Sequence, residues 1–233
     1  MEDKFLDYIP LFSGLPEEDR KKLNSSGIYR SYKPGELIAG PTDRIRAFFV
    51  VVWGSVKLHR TSHEGHEQTL YIFGPGEPFC MTALEDGTFP ADATALTETR
   101  VLILPADVLE SIAKSEPALL LNIMSVLIKR LKETMNLIEM LSMKEIPQRL
   151  AAWLIHSSAF QGGSDMLHIG MSHRELSKLL GTTPESLSRA FRRFKDEGMV
   201  DLKGRAVKIL KRDLLSNIAS NGWNPADQPE LPR

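Results

Sequence analysis

The 233-residue sequence contains one cysteine, Cys80. A lone thiol closes no intramolecular disulfide, and it cannot build a four-cysteine iron–sulfur cluster or a multi-cysteine zinc site. Long apolar runs are missing too: nothing approaches the roughly 20 residues that a membrane-spanning helix requires. The opening MEDKFLDYIP has no basic stretch followed by an apolar one, the mark of a secretory leader. Together these absences predict a cytoplasmic protein in a reducing compartment, with no membrane partner. No paired acid and base and no cluster of metal-ligating side chains emerges from the motifs, so the expectation is a non-enzymatic protein without a metal site. A formal net charge of −1 shows no bulk preference for a polyanion.

The distribution of charge says more. From Lys144 to Arg212 there are 13 Lys/Arg against 7 Asp/Glu, a net of +6, so the remainder carries −7. An acidic body joined to a basic C-terminal third directs any polyanion to the latter. The length allows two modest domains, each with its own core. The first third is built of short strand signals. Phe48 to Val52 runs through Trp53-Gly54 into Val56 and Leu58, which alternate with Lys57 and His59. Pro34-Gly35, Gly40-Pro41, the hairpin tip Thr61 to Gly65, and Gly74-Pro75-Gly76 punctuate the rest, with further strands at 69–73, 92–95 and 101–105. Short strands with regular Gly/Pro breaks predict an antiparallel roll or barrel.

Between Pro117 and Met143 there is neither proline nor glycine. Leu120, Met124, Leu127, Leu131, Thr134, Ile138 and Leu141 recur there at spacings of 4, 3, 4, 3, 4 and 3. That alternation is a heptad seam, apolar except at Thr134, and it favours a homodimer over an intramolecular core helix. Ile123, Val126, Ile128 and Leu137 lie off the stripe, so part of the helix is expected to pack on its own domain. Pro147 marks a joint, and Gln148 to Ala159 reads as the first helix of a new domain.

The strongest local signal runs from Ser172 to Phe194. Ser172 with Glu175 forms a capping box, and Gly181 ends the short helix that it opens. Thr183 caps a second helix with Pro184 at its first position, where a missing N–H is no loss. Helix, glycine turn and helix is the unit that sets its second helix in a major groove. At ~100° per residue, Leu187, Ala190, Phe191 and Phe194 share one side of that helix. Glu185, Ser188, Arg189, Arg192, Arg193 and Lys195 share the other. An ordinary amphipathic helix splits the same way. The capped turn, the four cations and the i, i+3, i+4 placement of Glu185, Ser188 and Arg189 favour double-stranded DNA as partner. Arg189 suits guanine and Glu185 a cytosine amino group, with Arg192 and Arg193 on phosphates and Ser172 and His173 at the start of the first helix. Gly198 to Leu210 reads as a hairpin wing with further cations.

Taken together, Lys33-Pro34-Gly35-Glu36, Gly40, Phe48 to Val52, Gly54, Gly76-Glu77 and the reader residues Gly181, Thr183, Glu185, Ser188, Arg189 and Phe194 make the chain resemble the CRP/FNR family. These are the regulators related to the cyclic-AMP receptor protein and the fumarate–nitrate reduction regulator. The resemblance spans about Leu11 to Asp213. It implies an α+β fold: an antiparallel β-roll for effector sensing over 1–112, a dimerisation helix over 113–143, and a winged helix-turn-helix over 144–220, followed by a disordered tail over 221–233. It also implies a palindromic operator, an effector that biases the dimer helix, and RNA polymerase as a further partner. The effector pocket falls at Gly76, Glu77, Cys80 and Met81.

Departures narrow the branch. Cyclic-AMP binders of the family hold the phosphate with an Arg-Ser or Arg-Thr pair, and the corresponding Thr88-Phe89-Pro90-Ala91-Asp92 has no arginine and adds a carboxylate. Cyclic AMP is therefore not the expected effector, and one cysteine cannot hold the oxygen-sensing branch's cluster. Glu185 with Ser188-Arg189 is similar to the branches whose half-sites resemble TTGAT. The run Gly76 to Met81 also looks similar to the stretch bearing the thiolate haem ligand of the carbon-monoxide-sensing regulator, with Thr82 where that protein has histidine. Haem at Cys80, in a sensor of CO or NO, thus stands beside the plainer reading of Cys80 as a small buried hydrophobe. His59, His63 and His66 are the other possible ligands.

Overall fold

The computed structural model describes residues 2–143, 145–204 and 206–222. The chain divides into two compact units, one up to Lys132 and one from Glu133. In the first, two 3-10 turns (Glu2–Tyr8 and Pro10–Phe12) precede α1 (Glu17–Ser26). There follow β1 (Ile28–Tyr32), β2 (Leu37–Ala39), β3 (Ala47–Trp53), β4 (Val56–Thr61), β5 (Glu67–Phe73) and β6 (Pro78–Phe79). After α2 (Ala83–Asp86) come β7 (Asp92–Ala95), β8 (Thr99–Pro105), α3 (Ala106–Ser115) and α4 (Pro117–Met143). The strands make two four-stranded sheets, in orders β1-β8-β3-β6 and β2-β7-β4-β5, with antiparallel pairings throughout the described residues. This is the expected roll.

The sequence of β3 explains its place. Alternate residues of a strand face opposite sides of its sheet. Phe49 and Val51 enter the core between the sheets, with Val56, Phe73, Phe79, Phe89 and Val101. Phe48 and Val50 enter a second core against Leu23 of α1, Leu109 and Ile112 of α3, and the N-terminal Leu6 and Phe12. A strand buried on both faces reads as an unbroken apolar run, which is what Phe48 to Val52 shows. Gly54 turns β3 into β4 at φ +88, and a Cβ there would stand 2.4 Å from the Glu98 carbonyl oxygen. No other residue type fits that crossing.

The second unit adds α5 (Ile146–Phe160), β9 (Met166–His168), α6 (His173–Leu179), α7 (Pro184–Asp196), β10 (Val200–Lys203), β11 (Ala206–Ile209) and α8 (Arg212–Asn221). Its sheet has the order β10-β11-β9. α8 lies beyond the expected wing, and its Leu215 and Ile218 are buried in the same core as Leu150 and Leu154 of α5. The helix also corrects the start of the expected tail, since Asn221 is its last residue and Gly222 its cap. Residues 223–233 of that tail lie outside the described residues.

α4 belongs to both units. Ile123 and Val126 pack on the helical core of the first, Leu137 on the core of the second. Leu120, Met124, Leu127, Leu131, Thr134 and Ile138 of the seam are exposed, and Leu141 is half-buried. Ile128 corrects an expectation: it does not pack inward but is 52% exposed, with Leu121 at 62% and Met135 at 61%. These three recur every seven residues beside the seam and widen it to three apolar columns per heptad. No single described helix is long and apolar enough to cross a membrane. Only α3 and α4 taken together pass by composition, and they are bent by 117°.

Candidate nucleic-acid interface

The reader is built by its caps. Ser172 Oγ accepts the Glu175 backbone N–H at 3.1 Å, opening α6 as expected. The Glu175 carboxylate lies 3.6 Å from Lys178 Nζ. A reciprocal capping box forms at Glu145 and Gln148, which open α5 with Pro147 in its first turn. At the end of α6, Gly181 takes φ +60. The Thr182 N–H reaches the Ser177 carbonyl at 2.9 Å and the Gly181 N–H reaches that of Lys178 at 3.3 Å. That pair is a Schellman motif, and it turns the chain sharply into α7. Thr183 Oγ1 then accepts the Ser186 N–H at 3.3 Å. A second such motif closes α7, where Met199 N donates to Phe194 O at 2.8 Å and Gly198 N to Lys195 O at 2.9 Å.

These caps fix which face of α7 meets water. Leu187, Ala190, Phe191 and Phe194 are buried in the core of the unit. Glu185, Ser188, Arg189, Arg192, Arg193 and Lys195 are all exposed, as the helical projection requires. The Arg189 guanidinium donates to Ser186 Oγ at 3.0 Å, and Arg193 Nε to Glu197 Oε1 at 3.4 Å. Glu185 is held below the ordinary carboxylate value by its own backbone N–H and the Thr183 hydroxyl, so it stays an ionised acceptor. His173 is exposed at the start of α6, its ring stacked on Phe191 at 5.1 Å. The wing is the β10–β11 hairpin, with Lys203 and Lys208 exposed. Ser186 lies within the Ser172 to Phe194 run, and its i, i+3 spacing from Thr183 and to Arg189 marks it as the link between cap and cation.

In the roll, the four residues expected in the effector pocket meet three environments. Gly76, at φ +79, follows Pro75 in a turn closed by Glu77 N donating to Gly74 O at 3.1 Å. Glu77 Oε1 pairs with Arg130 of α4 at 3.0 Å, and its Oε2 accepts the Gly74 N–H at 2.8 Å. The Arg130 guanidinium also lies 4.1 Å from the centre of the Tyr71 ring and 5.0 Å from that of Phe73. Arg130 is 53 positions from Glu77, a pairing that no local pattern announces. Cys80 is buried in the core between the sheets, whereas Met81 packs on the helical core.

Cys80 has φ 53, and among the described residues it is the one non-glycine with positive φ. Burial pushes its thiol up to about 12. A neutral thiol among Phe49, Phe79 and Phe89 fits the small buried hydrophobe. The histidines do not join it. Val56 and Leu58 face the inter-sheet core, so His59 turns away from it, with Nε2 3.0 Å from Thr94 Oγ1. His63 and His66 are exposed at the hairpin tip. Native protein at pH 8 should therefore react with Ellman's reagent at least about 100-fold more slowly than the urea-unfolded chain. Equal rates would put the thiol in solvent.

Known proteins repeat this arrangement. The cyclic nucleotide-binding domain matches residues 29–116, and the Crp-like helix-turn-helix domain matches residues 148–218. The chain is 33% identical over 211 residues to the cyclic AMP receptor protein of Thermus thermophilus, covering 90% of this chain and 96% of that one. It is 28% identical over 185 residues to the transcriptional activator protein anr of Pseudomonas aeruginosa, covering 78% and 76%. FixK2 from Bradyrhizobium japonicum shares the fold, with a TM-score of 0.74 at 24% identity over 83% of this chain and 98% of that one. These relatives are regulators and not enzymes, and the likeness runs through both units. The chain thus belongs to the CRP/FNR family of DNA-binding transcription regulators.

Proposed function

We propose that two copies of this chain pair through α4 and read a palindromic operator of TTGAT-like half-sites with their α7 helices, under an effector other than cyclic AMP. The observation that carries the pairing is the exposed apolar face of α4. Leu127 and Leu131 are 48% and 62% exposed, and Leu121, Ile128 and Met135 extend the same strip. A stripe that long in water is costly, and a second copy covers it with the same residues under two-fold symmetry. Leu127→Glu combined with Leu131→Glu should give a monomer by light scattering and abolish operator binding. A monomeric wild type at micromolar concentration overturns the pairing.

The effector reading rests on the aromatic cluster of the roll and on the segment Thr88 to Asp92, which carries no arginine. Between the sheets Phe49 lies 5.4 Å from Phe79 and 5.8 Å from Phe89, ring centre to ring centre, and Phe73 lies 5.6 Å from Phe79. Phe89 belongs to the segment that would meet a cyclic phosphate, and its side chain is buried. The relative from Thermus thermophilus bears the name of a cyclic AMP receptor, and this chain departs from such receptors at Thr88 to Asp92. An effector acts through the Glu77–Arg130 tie between roll and α4, and the family likeness extends the reading to a contact with RNA polymerase. Calorimetric titration should detect no cyclic AMP binding at micromolar concentrations; a micromolar Kd refutes this part.

Within the reader, Arg189 pairs with guanine and Glu185 accepts from a neighbouring cytosine, with Ser188 beside them. Arg192, Arg193 and Lys195 meet phosphates, and Ser172, His173 and Thr183 complete the DNA-binding set. Arg189→Ala should then cost about 1–3 kcal/mol at the operator and flatten base preference there. Arg193→Ala should weaken operator and scrambled DNA alike and lower the salt slope by about one unit. Binding titrations across salt concentrations separate the two. Equal losses on both DNAs for Arg189→Ala remove it as a base reader.

A further inference from the structure

The last carbonyls of a helix have no partner within it. Near the end of α4, the Leu141 carbonyl accepts Arg149 Nη2 at 2.9 Å. The other terminal nitrogen, Nη1, donates to the carbonyls of Leu180 at 3.1 Å and Gly181 at 3.3 Å. Leu180 caps α6, and Gly181 is the left-handed residue that turns the chain toward α7. One planar cation therefore closes the negative ends of two helices, the proposed dimer helix and the first helix of the reader. Its own backbone cannot yield, because the adjacent Leu150 and Ala151 of α5 are fully buried. Gly181 stands two residues before Thr183, so any swing of that turn moves the N-terminal, base-reading end of α7.

We infer that Arg149 is a positioning residue for operator reading. It fixes the angle at which the reader hangs from α4, and with it the separation of half-sites that a dimer accepts. The inference rests on the paired-reader proposal above. Adding one base pair between half-sites moves them apart by about 3.4 Å and rotates them by about 35°. A reader clamped at three carbonyls cannot follow; one released from the clamp can. Lysine keeps the charge but is a single point donor that cannot span both helix ends.

The test uses the full chain and duplexes carrying the half-site that the wild type selects from random DNA. Two copies stand at the preferred spacing, or one base pair nearer or farther, and a further duplex carries one copy. The wild type should lose about tenfold or more in affinity for either shift. Arg149→Lys and Arg149→Gln should lose about threefold or less, with single-half-site affinity within about twofold of wild type. An undiminished spacing penalty in both variants overturns the inference. So does loss of single-half-site binding in both, which would make Arg149 a support of the reader's fold. A wild type indifferent to spacing overturns the paired-reader proposal instead.

Discussion

The arrangement depends on the burial demands placed on one helix. α4 has apolar residues on more of its circumference than one neighbour can cover. Ile123 and Val126 go to the roll, Leu137 goes to the reader, and the columns of Leu127, Ile128 and Leu131 remain in solvent. The helix runs for 27 residues without an internal break. That one helix thus contributes side chains to the cores of both units.

Local pattern made most of the reader legible. Its caps use residues whose chemistry acts within four positions: Ser172 on Glu175, Thr183 on Ser186, Gly181 at a left-handed turn. The split of α7 follows from helical period alone. The roll was legible by punctuation, since Gly54 and Gly76 stand where the backbone needs positive φ. Ile128 escaped because period gives the face a residue lies on but not what, if anything, covers that face. α8 escaped because a ten-residue helix with only Leu215 and Ile218 buried shows too short an apolar period to stand out beyond the wing.

The candidate effector region was the least legible, and the reason is physical. Gly76, Glu77, Cys80 and Met81 are neighbours in sequence, yet the turn at Gly76 and the positive φ of Cys80 disperse them. Cys80 and Met81 are consecutive and enter different cores. The partner that matters to Glu77, Arg130, comes from another element altogether. Contacts between elements carry no short-range signature, whereas caps and turns do. Arg149 belongs to the same class: its three acceptors lie 8, 31 and 32 residues away.

The double burial of β3 has a mechanical consequence. A strand locked by side chains on both faces is the stiffest part of its unit. The turn that carries Glu77 is fastened to it, with Gly76 N donating to Val51 O at 2.8 Å and Val51 N to Glu77 O at 3.1 Å. Glu77 is thereby mounted on a stator. The Arg130 guanidinium reaches that fixed carboxylate across the face of the Tyr71 ring.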